Sequence, residues 1–277
     1  MYKRQSDESD FSNELSITIA QHTIITVSQN GGYLGDTVTI TGTFFGQTQS
    51  GDKVYFSDSS GAQTVEAASY TSWSPTEIKV TVPYGAADGQ VAVSIGGVSV
   101  VSPAGQTFDY SEPDLTTLTP AEDWVQHNYI NITGDYFGPA PSSGGSQTKI
   151  YFGTTEAQAG DIDETTWSKT NIDVKVPAAA TGMTVDVKVV LAGNESDTLS
   201  FVILPHIDSI APTSGNTGAT VVLTGTNFGS TQGTGSVAIG GIDMSVNSWS
   251  NTSVSVDVPA SALDGDIVLT RSDTKTT

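Results

Sequence analysis

The sequence predicts an all-β chain made of three tandem β-sandwich domains strung into an elongated array. Three observations predict it: two short motifs recur together three times in 277 residues, apolar and polar residues alternate along the segments between turns, and no stretch has a helical period. Alternation puts one face of a strand in a core and the other in solvent, as antiparallel sheets require.

The first motif reads Val38-Thr-Ile-Thr-Gly42-Thr-Phe-Phe45-Gly46, then Ile130-Asn-Ile-Thr-Gly134-Asp-Tyr-Phe137-Gly138, then Val222-Leu-Thr-Gly225-Thr-Asn-Phe228-Gly229. Its glycines Gly42, Gly134 and Gly225 are spaced by 92 and 91 residues. The second motif runs from Trp73 to Pro83, Trp167 to Pro177 and Trp249 to Pro259, ten residues each time. Two motifs in register three times establish a repeat. Inside them Ile78/Val80/Val82, Ile172/Val174/Val176 and Val254/Val256/Val258 alternate with polar residues, as do Val91/Val93/Ile95 and Val185/Val187/Val189 further on. About seven short strands in some ninety residues make a two-sheet sandwich. Length differences fall between the motifs, where loops absorb them; Asp58–Gly61 and Pro139–Gly145 read as such loops.

The ends of the chain are offset from the repeat. Leu15-Ser-Ile-Thr-Ile19-Ala-Gln-His22 aligns without a gap on Leu199-Ser-Phe-Val-Ile203-Leu-Pro-His206. Leu199–Ile203 reads as the strand that closes the second domain, so Leu15–Ile19 reads as the closing strand of a repeat ahead of the first. The third repeat runs out after Ile267–Arg271 into a polar tail, Ser272–Thr277. The expected organisation is therefore a non-native or disordered tail at 1–11, an orphan closing strand at 12–20, domains at 21–112 and 113–204, and a third domain at 205–277 lacking its last strand. The favoured reading is an internal window of a longer repeat protein. The alternative is a filament subunit assembled by donor-strand exchange, with Leu15–Ile19 of one copy entering the third domain of another.

Charge narrows the partners. Ten Lys and Arg against thirty Asp and Glu leave a net charge of -20. Nucleic acid is bound by neutralising phosphates with basic side chains, so no nucleic-acid partner is expected. The chain has no cysteine, which removes disulfides, thiolate nucleophiles and Cys-based zinc sites together. No run of about eighteen apolar residues is present, so this fragment is not expected to enter a membrane.

The motifs support a resemblance. The third copy, Ile210-Ala-Pro212-Thr-Ser-Gly215-Asn-Thr-Gly218 followed by a strand and Gly225-Thr-Asn-Phe228-Gly229, resembles the IPT/TIG family of immunoglobulin-like domains. The first copy departs from the family pattern with Ser28-Gln-Asn-Gly-Gly32 in place of a proline turn, and the second with Ala121-Glu-Asp-Trp124-Val-Gln-His127. The resemblance covers nearly the whole chain and implies three immunoglobulin-like β-sandwiches. Similar arrays occur in bacterial surface proteins, which implies a cell-surface or extracellular setting. Rel-type transcription factors share the fold and are set aside on charge.

Residues that could carry chemistry are few. His22, His127 and His206 lie about ninety residues apart and are read as structural or surface groups. No nucleophile elbow, zinc-protease helix or phosphate loop is present, no carboxylate pair stands out, and no enzyme is expected. No bound cofactor is expected either, with calcium left open by Asp264-Gly-Asp266, Asp161-Ile-Asp163-Glu164 and Asp88. None of these has EF-hand spacing, and a turn is the favoured reading. Trp73, Trp167 and Trp249 recur in every copy and are read as packing. The ligand-binding candidates are the aromatics that do not recur: Tyr33 and Trp124 in the loops that open domains one and two, and Tyr84 after a Val-Pro turn. Ser111–Asp114 and Leu204–His206 are short links containing proline, which restricts bending. The expected function is a non-enzymatic rod-like spacer or adhesion module of a larger surface protein, whose partners are its other domains and surface proteins or glycans. The runner-up is a glycan-binding module of a polysaccharide-capture protein.

Overall fold

The computed structural model describes residues 20–28, 32–141 and 148–277. The predicted strand Leu15–Ile19 lies outside them. The described chain forms the expected all-β array of three sandwiches, each with one four-stranded antiparallel sheet of the same order. In the first domain that sheet is Thr23–Ser28, Thr37–Thr43, Glu77–Thr81 and Ser69–Trp73. In the second it is Asp114–Thr119, Tyr129–Asp135, Asn171–Lys175 and Ile162–Ser168. In the third it is His206–Ala211, Thr220–Thr226, Ser253–Asp257 and Ser245–Trp249.

The facing sheets differ. The second domain has the fullest, built on Thr148–Phe152, Thr184–Leu191 and the closing strand Leu199–Ile203. That strand also pairs in parallel with Glu122–Asp123. The first domain closes with only Thr107–Phe108, against Gly89–Gln90. In the third domain Ile242–Asp243, Ser236–Ile239 and Ile267–Thr270 form three strands, and among the described residues nothing stands where Leu199–Ile203 stands in the second.

Alternation does place the cores. Val38 and Ile40, Ile130 and Ile132, and Val221 and Leu223 point inward from the second strand of each domain. Phe45, Phe137 and Phe228 are fully buried. Where a closing strand is present its phenylalanine packs edge-to-face on a core ring, Phe56 with Phe108 at 5.1 Å and Phe152 with Phe201 at 5.5 Å. The third domain has Ile239 at that place, and its buried cluster holds eight residues against seventeen in the second. Ile207 and Ile267, whose counterparts Leu115 and Val187 are buried in the second domain, are left partly exposed.

Both repeated motifs follow from one close contact. A β-bulge in the first strand of each domain brings a backbone carbonyl over the motif glycine. A Cβ on Gly42, Gly134 or Gly225 would lie 1.9, 1.9 or 2.0 Å from the oxygens of Thr23, Asp114 and His206. It would also meet the ring of the motif phenylalanine at 2.4 to 2.7 Å. The chain then turns through a left-handed residue, Phe44, Tyr136 or Asn227, with φ of 60°, 60° and 56°. A positive-φ glycine, Gly46, Gly138 or Gly229, ends the turn. The second motif clasps this turn. Trp73 Nε1 donates to the Phe45 carbonyl at 2.8 Å, Trp167 Nε1 to Gly138 at 3.0 Å, and Trp249 Nε1 to Phe228 at 3.1 Å. The carbonyls of Thr76, Thr170 and Thr252 in turn accept the N–H of the three motif glycines.

Asp58–Gly61 is a turn between strands, as expected, and its hydrogen bonds fix it. Asp58 accepts hydrogen bonds from Ser60 and Thr64 side chains, both at 2.5 Å, and from the Ser60 N–H at 2.8 Å. These bonds hold its carboxyl down at a pKa of about 2. The expected polar tail is instead a hairpin: Arg271 N–H donates to Lys275 O, Thr274 N–H to Arg271 O, and Thr277 N–H to Leu269 O.

Gly134→Ala is expected to destabilise the second domain by about 3 kcal/mol, the scale of forced overpacking against backbone. Chemical denaturation followed by the fluorescence of Trp167 measures it, and an unchanged midpoint would remove the close-contact explanation of the motif.

Candidate functional site

A set of buried polar and charged side chains meets where the second domain joins the third. The second domain ends at Ile203, and Leu204-Pro205 leads into the third. Inward positions along the strand of the third domain fall at Ile267, Leu269 and then residue 271, which is arginine. Its counterpart in the second domain, by the pairing registers, is Leu191. Arg271 is 1% exposed and is the largest fully buried side chain among the described residues. A buried guanidinium requires partners for its donors. Arg271 Nη1 donates to the carbonyls of Ile203 at 2.8 Å and Asn227 at 3.1 Å. Nε and Nη2 reach both oxygens of Asp273 at 2.9 and 2.7 Å. Those bonds hold the Asp273 carboxyl below the usual carboxylate range.

Ile203 O accepts a second bond, from Asn227 Nδ2 at 2.5 Å. The carbonyl that ends the second domain is thus held by two side chains of the third. Around it Met183 Sδ lies 4.0 Å from Ser272 Oγ, and Lys275 pairs with Glu122 across the junction. Polar groups fix this junction in direction as well as in contact.

Trp124 sits on the same junction. His127 stacks on its indole at a centroid distance of 3.6 Å and His206, from the third domain, at 4.9 Å and 6°. Buried Asp123 accepts from His127 Nδ1 at 2.8 Å and from the Trp124 N–H at 2.8 Å. The sequence reading separated His127 from His206 by their distance along the chain. Folding brings both to one ring, because the loop that opens a domain lies beside the strand that leaves it. Among the described residues no group of three or more His, Asp or Glu side chains converges as a metal site.

The other candidates fall out differently. Tyr33, read as a loop aromatic open to ligand, is 8% exposed and packs at a tilt against Tyr136 of the second domain, ring centroids 5.6 Å apart. Burial pushes its hydroxyl up to about 12, with Asp36 adding to the shift. Its position is the first junction's counterpart of the loop that carries Trp124, so its ring meets the next domain. Tyr84 is 55% exposed at the start of its turn and is the one of the three presented to solvent. His22, equivalent in sequence to His206, is buried and donates Nε2–H to Val93 O at 2.9 Å. Of the acidic groups that could offer oxygens to calcium, Asp88 accepts the distant Tyr110 N–H at 2.6 Å, Asp163 accepts Thr165 within its turn, and Asp161 accepts both the local Gln158 N–H and the distant Gln126 Nε2. Asp264 and Asp266 stay exposed.

Arg271 belongs to no catalytic or metal-binding motif of the sequence. Its signal was available: an arginine in the inward register of an otherwise apolar alternation. No helix of the described residues is long and apolar enough to cross a membrane.

A family model for the IPT/TIG domain matches residues 22–110, 113–203 and 205–275. A search of curated protein sequences returns no match. Among solved structures the chain is similar to a protein crystallised with a xylogluco-oligosaccharide, at 17% identity and a TM-score of 0.43, covering 94% of this chain and 59% of that one. It is similar to the plexin A4 full extracellular region at 18% identity and 0.33, covering 89% and 21%. It is also similar to the surface glycan-binding protein PbSGBP-B from Prevotella bryantii at 15% and 0.32, covering 67% and 43%. The chain therefore spans from 21% to 59% of the length of these structures.

Replacing Arg271 by Ala is expected to cost about 3 kcal/mol, since Asp273 and two carbonyls lose their shared partner. Denaturant unfolding of the third domain, followed through Trp249, measures it. The depressed Asp273 carboxyl sets the pH dependence: its contribution is complete above the ordinary carboxylate value of about 4 and is lost as pH falls through the lower folded value. An Arg271→Ala protein that unfolds like the parent at neutral pH would exclude a stabilising role for the Arg271 bonds across the junction.

Proposed function

The chain belongs to the IPT/TIG family in each of its three repeats, and on that premise we propose that it is a non-enzymatic, extracellular spacer and adhesion module of a bacterial surface protein. The observation that carries this reading is the junction around Arg271. A spacer must transmit direction from domain to domain, and a charged group buried across a junction fixes geometry that an apolar contact would leave free to slide. Several of the histidines, carboxylates and aromatics that could have formed a catalytic cleft are engaged in turns and in domain contacts. The net charge of -20 suits a solvated surface protein and opposes a polyanionic partner. Its partners in this reading are the neighbouring domains of the parent protein and proteins of other surfaces.

Small-angle X-ray scattering tests the spacer. The expected radius of gyration is above ~30 Å, against roughly 19 Å for one compact globule of this length. A broad distribution of shapes, or a compact value, would count against a spacer held in line.

A second reading, glycan binding, is favoured by one observation, the exposed ring of Tyr84. Affinity electrophoresis through gels containing soluble plant and microbial polysaccharides examines it. Retardation by one of them that Tyr84→Ala abolishes is the expected sign. Unretarded migration through all of them leaves the spacer alone.

A further inference from the structure

The first junction brings two phenols into contact across a domain boundary. Tyr33, from the loop that opens the first domain, is 8% exposed, and Tyr136, on the left-handed turn of the second, is 40% exposed. Their ring centroids lie 5.6 Å apart at an interplanar angle of 50°. Among the described residues this is the one ring contact that joins two tyrosines. The chain has no cysteine, so a covalent tie between its domains cannot be a disulfide.

We propose that Tyr33 and Tyr136 form an oxidative cross-linking site, at which a peroxidase with hydrogen peroxide joins the first domain to the second through a carbon–carbon bond between the two rings. The exposures divide the roles. Tyr136 is open to a one-electron oxidant, while Tyr33 is shielded both from the oxidant and from the tyrosines of other chains. A radical formed on Tyr136 takes an electron from Tyr33 across the contact, and Tyr136 is then oxidised a second time. Burial holds the Tyr33 hydroxyl at a pKa of about 12, so it is protonated at neutral pH and releases its proton with the electron. The carboxylate of Asp36 lies beside that hydroxyl to receive it.

Each phenol has then lost one electron and one proton. The two phenoxyl radicals pair their electrons in a bond between ortho carbons. Those two carbons release their hydrogens as protons and the two oxygens regain protons, which restores both phenols. One hydrogen peroxide is reduced to two waters as the pair of tyrosines gives up two hydrogens. The product closes a loop from residue 33 to residue 136, which restricts the unfolded chain as a disulfide would.

Peroxidase and hydrogen peroxide acting on the dilute 277-residue chain test the site, read by dityrosine fluorescence, denaturing electrophoresis and peptide mass mapping. The expected product migrates as a single chain. Its main cross-linked peptide pair contains Tyr33 and Tyr136 and is lighter than the two peptides together by the mass of two hydrogens. The first domain of this product, followed through Trp73, should unfold at a higher denaturant concentration than in untreated protein. Tyr33→Phe and Tyr136→Phe each keep a ring at the junction, with unchanged thermal unfolding as the check, and each is expected to remove the intramolecular product. In Tyr33→Phe the radical on exposed Tyr136 is left to couple between chains, so dimers should appear instead. Cross-links found mainly on other tyrosine pairs, fluorescence that survives undiminished in both variants, or oxidation without any cross-link overturns the proposal.

Discussion

The approach of a backbone carbonyl to Gly42, Gly134 and Gly225 is the constraint from which each domain is built. At about 2 Å from where a Cβ would be, nothing but glycine fits, and the space left by the missing side chain is taken by the ring three residues on. That ring is the centre of each core. Its placement forces the left-handed residue before it and the positive-φ glycine after it, and the tryptophan of the second motif then caps the carbonyls this turn exposes. Two motifs distant in sequence are one structural unit, which is why they repeat in step while the loops between them change length.

The same unit sets the junctions. Its turn lies at the end of the sandwich that receives the preceding domain, so the left-handed residue is pushed out of the core toward whatever comes before. Tyr136 meets a tyrosine there and Asn227 a strand-end carbonyl. At the second junction Arg271 joins it, replacing the leucine of the preceding repeat. The two junctions therefore share a frame and differ in chemistry: a tyrosine pair meets at the first, while the second adds a buried arginine to its Trp124–His206 stack.

Much of this was legible in the sequence and some of it was not, for a physical reason. Alternation and the repeated motifs report local geometry and the close contacts of a single domain, so the sandwiches, the buried phenylalanines and the packing role of Trp73, Trp167 and Trp249 could be read directly. The meeting of His127 with His206, the burial of Tyr33 and the partners of Arg271 depend on how successive domains are set against each other. No periodicity encodes that. The polar segment after Arg271 looked like a tail because its residues suit solvent; it folds because its carboxylate answers a buried arginine, a tertiary demand that composition conceals. Trp124 looked like a ligand platform for the same reason that it packs a junction, since a large flat ring at a loop serves either use.

The left-handed residue of the turn has a property that core positions lack. Its backbone is dictated by the fold while its side chain is not, so Phe44, Tyr136 and Asn227 occupy one conformation with three different chemistries. Tyr136 and Asn227 each act as a key cut for one neighbour. Domains that are interchangeable in their interiors are not interchangeable in their order: a third domain moved behind the first would present an amide to a tyrosine ring, and a second domain moved behind itself would present a phenol to a carbonyl that expects an amide. The array thus carries its own syntax, written at one position per domain and independent of the core that makes the domains alike.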